Sequence, residues 1–285
     1  MSLRGKTLFI TGASRGIGLA IGTRAARDGA NVVIAAKTAQ PHPKLEGTIY
    51  SAAEQIESAG GRALPLVVDV RDESSVSAAI DAAVKRFGGI DICVNNASAI
   101  NLAGTLETDM KRYDLMQQIN ARGTFLVSRL CIPLLRNSKN PHVLTLCPPI
   151  DLRPQWFASH PAYAVAKYGM SLYTLAMAAE FQHESIAFNG LWPRTTIATA
   201  AVKFALGTPE LVARSRTPDI MADAARAILC RPARSCTGRF FLDDEVLWAE
   251  GISDFQSYAC KPAEGLAADL FVDPSAPAPP GVRVS

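Results

Sequence analysis

Thr11-Gly-Ala-Ser-Arg-Gly-Ile-Gly18 follows the apolar run Thr7-Leu-Phe-Ile10 and precedes a helix-like stretch from Leu19 to Asp28. That order of strand, glycine-rich turn and helix decides the fold. Gly12, Gly16 and Gly18 let the backbone turn tightly and approach a pyrophosphate where a Cβ would clash. Thr11, Ser14, Arg15 and Ile17 complete the loop, and the helix behind it offers unpaired amides and a positive dipole end to phosphate. The spacing, Gly-x-x-x-Gly-x-Gly, is a variant of the commoner Gly-x-Gly-x-x-Gly device.

Outward from this loop, short apolar runs alternate with helical patterns. Strands are predicted at Thr7–Ile10, Asn31–Ala36, Ala63–Asp69, Ile90–Asn95, His142–Leu146, Ile186–Trp192 and Gly238–Leu242. Helices are predicted at Gly18–Asp28, Ile49–Ala59, Ser74–Phe87, Asp109–Leu135, Tyr163–Gln182 and Pro218–Leu229. The alternation predicts an α/β fold, a Rossmann-type doubly wound parallel sheet of seven strands with helices on both faces. Thr38–Thr48 is longer than a strand-to-helix connection needs, so it wraps either a cofactor's adenosine end or only the surface. Thr196–Thr217 breaks the rhythm just beyond a strand's carboxyl end, where such sheets hold ligands. Residues 1–272 read as one nucleotide-binding domain, and the Pro-, Ala- and Ser-rich 273–285 as a disordered tail.

Composition narrows the partners. Charged residues are 19% of the 285, the net charge is +3 and there is no long basic run, which gives no support to nucleic-acid binding. Six scattered cysteines without Cys-x-x-Cys or a nearby histidine fit buried thiols in a reducing compartment, with no metal. The apolar run near the N-terminus is too short for a signal peptide, and no stretch approaches a membrane span. The expectation is a cytoplasmic, soluble protein whose partners are a small molecule and copies of itself.

Tyr163 and Lys167, in Tyr-Ala-Val-Ala-Lys, leave one face of a helix a turn apart. A phenol is a poor acid–base group at neutral pH, but a neighbouring ammonium favours its phenolate. Tyr163 is therefore a candidate to give a proton to a carbonyl oxygen or take one from a hydroxyl.

Thr11–Gly18, Asp69-Val70, Asn95-Asn96-Ala97-Ser98, Asn120 in Asn-x-x-Gly, and Tyr163-x-x-x-Lys167 occur in this order, and together they make the chain resemble the short-chain dehydrogenases/reductases over roughly residues 5–245. The resemblance implies that Asn95, Asn96 and Ala97 line the adenosine and ribose side of a nicotinamide cofactor and that Asp69 binds adenine beside Val70. It also implies that Lys167 holds the nicotinamide ribose, that Asn120 positions a relay water behind that lysine, and that Pro193 belongs to the cofactor site. The helices 109–135 and 163–182 would pack on their copies in a homodimer or homotetramer. Alone, Asp69 reads as a solvated acid, Asn95-Asn96 as a turn and Asn120 as a helix-kinking amide.

The second strand ends Ala35-Ala36-Lys37, with no carboxylate to bind a ribose 2'-hydroxyl and repel a 2'-phosphate. In the family's geometry Arg15 forms a cationic clamp with Lys37, so NADP(H) is the expected cofactor. One departure stands out. The family usually places a serine after the fifth strand to hydrogen-bond the substrate oxygen, and here that place falls on Pro148 by the strand or Ile150 by the tyrosine. Neither side chain donates a hydrogen bond, and Cys147 is a weak donor that reads as core. Residues 35–44, 160–170 and 191–195 narrow the resemblance to a hydroxysteroid dehydrogenase-like branch, which implies a steroid or lipid substrate. Trp156, Phe157, Trp192 and Phe204 are candidates for an apolar pocket or for core. The activity expected is hydride transfer between NADP(H) and an alcohol/carbonyl pair. The rivals are a cofactor-binding sensor or scaffold that lost turnover with the serine, and a lyase or isomerase on the same scaffold.

Overall fold

The computed structural model describes residues 1–43, 45–200, 202, 208–261, 265–282 and 284. Its sheet has seven parallel strands, β1 (Thr7–Thr11), β2 (Asn31–Ala36), β3 (Arg62–Val67), β4 (Ile92–Asn95), β5 (His142–Thr145), β6 (Ala187–Trp192) and β7 (Phe240–Leu242), in the order β3-β2-β1-β4-β5-β6-β7. The strand order reverses between β1 and β4, the switch point at whose carboxyl ends sheets of this kind hold ligands. Period-two alternation explains how each strand serves two cores. Leu8, Ile10, Val32, Ile34, Ile92 and Val94 face one cluster, and Phe9, Val33, Ala35, Cys93 and Val143 face the other.

The first cluster is closed by α1 (Gly16–Arg27), α2 (Ile49–Ser58), α9 (Asp219–Leu229) and α10 (Asp243–Ala249). The second is closed by α3 (Glu73–Phe87), α5 (Gly123–Leu135) and α7 (Pro161–Glu180). The remaining helices are α4 (Met110–Met116), α6 (Gln155–Ala158) and α8 (Pro209–Ala213). The single helix expected over 109–135 is divided: a π-helical turn at Gln117–Arg122 joins α4 to α5. The periodicity could not show this, because one wide turn shifts the apolar stripe without breaking it. α10 is a short helix that the strand rhythm also missed. Its first turn holds Asp243, Asp244 and Glu245, acids that suit the positive end of a helix.

Two irregular segments border these carboxyl ends. The 38–48 loop returns to the glycine loop, where Arg15 Nη2 donates to Gly47 O at 2.5 Å, and then starts α2 through a capping box between Thr48 and Ser51. The segment after α10 crosses the sheet's carboxyl edge: Thr195 bridges Ala268, and Asp269 N donates to Arg194 O at 3.0 Å. Residues 273–282, expected as a disordered tail, lie against the body, with Asp273 on Arg153 and Val282 against the first core.

Candidate active site

The glycine loop is joined to the end of β4 by two side chains. Thr11 Oγ1 accepts from the amides of Asn96 and Ala97, each at 3.0 Å, while Asn96 Nδ2 donates to Thr11 O at 2.9 Å and Gly12 O at 3.1 Å. The approach leaves no room for a side chain: a Cβ on Gly18 would lie 2.5 Å from Asn96 Nδ2. Gly12 and Gly16 have φ of 67° and 58°, left-handed conformations that glycine adopts without strain. The first helical hydrogen bond runs from Leu19 N to Arg15 O, so the amides of Gly16, Ile17 and Gly18 have no acceptor within the helix. Arg15, at the N-cap, supplies no side-chain bond, and the first turn holds no acid. By contrast Thr48, Asp72 and Asp109 cap α2, α3 and α4. An uncapped N-terminus over a glycine cradle suits a dinucleotide's phosphates. Ser14 is buried beneath the loop, and Thr199, which sequence reasoning did not single out, lies over Gly16.

Beyond β2 and β3, Lys37 Nζ lies 3.2 Å from Asp69, whose carboxylate also receives a two-pronged bond from Arg71. The Arg71 bond first, opposed by burial and helped by Lys37, holds the Asp69 carboxyl well below its ordinary value. Lys37 is largely exposed, and Val70 beside Asp69 is buried against Gly123. Arg15 turns instead to Gly47, with its Nε buried and unpartnered. The two expected clamp cations thus each have a separate partner here.

On the other side of the switch, α7 carries Tyr163 and Lys167 into a buried apolar cluster with Met116, Trp192 and Phe271. Lys167 Nζ donates to Leu146 O at 2.6 Å and lies 4.9 Å from the Trp192 ring centre. Burial lowers this ammonium to about 8. Tyr163 moves opposite to the expectation from its neighbour: burial first, and then the nearby Asp269, push the phenol above its ordinary value. The phenol is therefore neutral, the form that donates a proton. Phe271 stacks on it at 6.0 Å between ring centres, and Trp192 Nε1 fixes that covering segment by donating to Leu270 O at 2.7 Å.

Asn120 sits fully buried in the π turn, where its side chain brackets Ala99, accepting from its amide at 2.8 Å and donating to its carbonyl at 3.0 Å. Gly169 lets α7 press on this turn, since a Cβ there would meet the Ala121 Cβ at 3.0 Å. Pro193 is buried between Trp192 and Arg194 at the end of β6. Behind it, Arg194 Nε lies 2.9 Å from both Asp244 oxygens and Arg216 Nη1 lies 3.2 Å from Asp244, an ion cluster that fixes the post-β6 loop on α10. Its members, Arg194, Arg216 and Asp244, are far apart in sequence, and no local spacing brings them together. Where the serine was expected, Pro148 O accepts from Ser171, and Cys147 is buried facing Thr174, its thiol raised to about 11 by burial. Trp156, Phe157 and Trp192 join the Tyr163 cluster, whereas Phe204 lies outside the described residues.

The sequence pattern of the short chain dehydrogenases matches residues 6–206. The chain belongs to that family. Its members are oxidoreductases that bind a nicotinamide cofactor. The chain is similar to hydroxysteroid dehydrogenase-like protein 2 of Danio rerio, with 60% identity over 271 residues, 95% of this chain and 65% of that protein. The human protein of the same name is 58% identical over 271 residues, 95% of this chain and 64% of its own. The chain thus spans about two thirds of the length of these relatives. Among solved structures, a short chain dehydrogenase from Mycobacterium thermoresistibile superposes with TM-score 0.92 at 54% identity, covering 100% of both chains. A short-chain type dehydrogenase/reductase from Mycobacterium marinum gives TM-score 0.71 at 26% identity, covering 85% of this chain and 94% of its own.

Proposed function

We propose that the protein is an NADP(H)-dependent oxidoreductase acting on an alcohol/carbonyl pair carried by an apolar, steroid- or lipid-like molecule. The observation that carries this reading is the neutral, buried Tyr163 set beside Lys167 under an apolar cover of Trp192 and Phe271. The amides of Gly16, Ile17 and Gly18, with Thr11, Gly12 and Ser14, would hold the cofactor's phosphates, and Asn96 and Ala97 its adenosine side. Lys37 and Arg15 would favour the 2'-phosphate, Asp69 and Val70 would border the adenine, and Pro193 the nicotinamide end. The reduced nicotinamide, when bound, supplies a hydride to the substrate carbon. Tyr163 Oη gives its proton to the carbonyl oxygen as that oxygen gains charge, and Lys167 Nζ, near its own titration point, returns a proton towards the phenol. Asn120 acts as a positioning residue by fixing Ala99 beside α4. Reduction would use the neutral phenol, and oxidation of an alcohol its phenolate.

Copies of the chain would pair through α5 and α7. Phe125, Val165, Leu172 and Tyr173 stay exposed there, an apolar stripe that a homodimer or homotetramer would cover. No helix among the described residues is long and apolar enough to cross a membrane, and Cys93, Cys131, Cys147 and Cys236, buried as reduced thiols, fit a cytoplasmic site. One observation favours a sensor or scaffold instead: Pro148 and Ile150 cannot donate to a substrate oxygen, a loss worth about 3 kcal/mol of transition-state stabilisation in other enzymes. Nicotinamide absorbance against steroid, fatty-acyl and small carbonyls, with NADPH and NADH in parallel, tests the choice. NADPH oxidation that Tyr163→Phe abolishes while NADPH still binds is the expected result. Tight NADPH binding without oxidation anywhere in the panel selects the sensor, and equal activity in Tyr163→Phe sinks the mechanism.

A further inference from the structure

Trp192, the last residue of β6, touches both Lys167 and the segment that covers Tyr163. Its indole makes two different contacts. Nε1 donates to Leu270 O at 2.7 Å, and the ring lies over Lys167 Nζ, 4.9 Å from the ring centre, with the Phe271 ring 6.0 Å away. The first contact is the partner that a buried indole N–H requires. It ties the ring to a segment that is itself held through Asp269 N on Arg194 O. The second contact meets an ammonium stripped of water. Lys167 is buried, and no carboxylate pairs with it among the described residues. Two of its three N–H groups find acceptors, Leu146 O at 2.6 Å and Met170 Sδ at 3.3 Å, and a thioether accepts weakly. A charge buried with so little compensation is costly. An indole face within about 6 Å of the cation is the best aromatic site for it.

We propose that Trp192 is a positioning residue for the reaction: its ring face holds the Lys167 ammonium in place and in its charged form, while Nε1 locks the ring's orientation to the covering segment. The inference rests on the oxidoreductase reading above, in which Lys167 returns a proton towards Tyr163. The sign of the effect follows from the charges. Burial brings Lys167 down to about 8, against Cys147 from the chain beyond β5 and Asp269 from the cover, which raise it. Tyr163, one turn back on α7, is the other titratable group beside it. The ring's negative face favours the ammonium and so also works against burial. Without the ring, burial is less opposed and the ammonium gives up its proton at lower pH. Trp192→Phe keeps a weaker π face and loses the N–H, whereas Trp192→Leu fills apolar space with neither. The pair separates the effect on charge from plain packing.

Nuclear magnetic resonance of the whole protein, with lysine isotope-labelled at Cε and Lys167→Arg as the assignment reference, reads this contact without turnover. The Lys167 ε-methylene protons should lie upfield of those of the other lysines through the indole ring current, and should titrate with a midpoint near 8. Trp192→Phe should keep most of that shift and a midpoint within about half a unit of the wild type. Trp192→Leu should lose the shift and move the midpoint down by about half a unit to one and a half units. NADPH-dependent reduction of decanal should follow: kcat falls about tenfold in Trp192→Leu, with its alkaline fall starting at lower pH, and stays within about threefold of the wild type in Trp192→Phe. A wild-type Lys167 signal without the upfield shift overturns the proposal. So does a midpoint that Trp192→Leu leaves in place, or a Trp192→Phe that titrates like Trp192→Leu. Should Trp192→Leu fail to fold, the wild-type shift and its retention in Trp192→Phe decide. Wild type that oxidises no NADPH with decanal or the panel above overturns the oxidoreductase reading instead, so the two failures are distinct.

Discussion

Single atoms decide the cofactor cradle. Gly18 packs so closely on Asn96 and on the Gly12 carbonyl, 2.5 and 2.9 Å from a virtual Cβ, that backbone must move to admit even a methyl group. Gly18→Ala should cost about 1–3 kcal/mol in urea unfolding and weaken NADPH binding in a fluorescence titration. His142 provides a pH signature. Its ring is 1% exposed, Nε2 faces Arg231 O at 3.0 Å, Nδ1 is buried without a partner, and burial holds the imidazole down to about 4. The folded state then binds fewer protons than the unfolded chain between this value and the ordinary histidine range. Stability is full above that range and falls as the pH drops towards 4, by on the order of 3 kcal/mol in all. Urea midpoints at stepped pH should show this slope in the wild type and a flatter one in His142→Gln. An unchanged slope in that variant would assign the acid lability to other groups.

At the scale of elements, the π turn at Gln117–Arg122 is where local irregularity serves the site. Its widened backbone places Asn120 so that one side chain satisfies both the amide and the carbonyl of Ala99, and Gly169 brings α7 against it. Asn120→Ala leaves both Ala99 groups wanting partners, so stability should fall by about 2 kcal/mol or more. Turnover should drop with it, because the Ala99 loop and Met116 border the Tyr163 cluster. Full stability in Asn120→Ala by thermal melting would mean that water replaces the amide at no cost. The Tyr-x-x-x-Lys face was legible in the sequence, since helical spacing alone aligns positions four apart. The π turn was not, because a wide turn leaves the apolar pattern of 109–135 intact.

For the molecule as a whole, the exposed apolar stripe on α5 and α7 is the surface feature that bears on assembly. Phe125 and Tyr173 already meet at 5.2 Å between ring centres, and Leu172 lies half exposed beside them. Leu172→Glu should shift the protein from an oligomer to a monomer in size-exclusion chromatography with light scattering. A wild type that elutes as a monomer would remove the role proposed for this face. The covering segment around Phe271 makes the opposite contribution: it shields Tyr163 within one chain, and Phe271 adopts φ of 66° to do so, a conformation uncommon for a bulky side chain.

The sequence by itself determined the parallel sheet, the glycine cradle and the Tyr163–Lys167 face, because each depends on contacts within one strand–turn–helix or one helical turn. The family's order of motifs added Asn96, Asp69 and Asn120 as expectations, and the structure gives them separate partners in Thr11, Arg71 and Ala99. Tertiary structure alone decided the electrostatic state of the site. Tyr163 is pushed up rather than down because a distant segment buries it and sets Asp269 near it, and Arg15 and Lys37 take separate partners because the 38–48 loop and Asp69 reach them. Desolvation and long-range charge depend on which atoms surround a group in three dimensions, and residue type and spacing record neither.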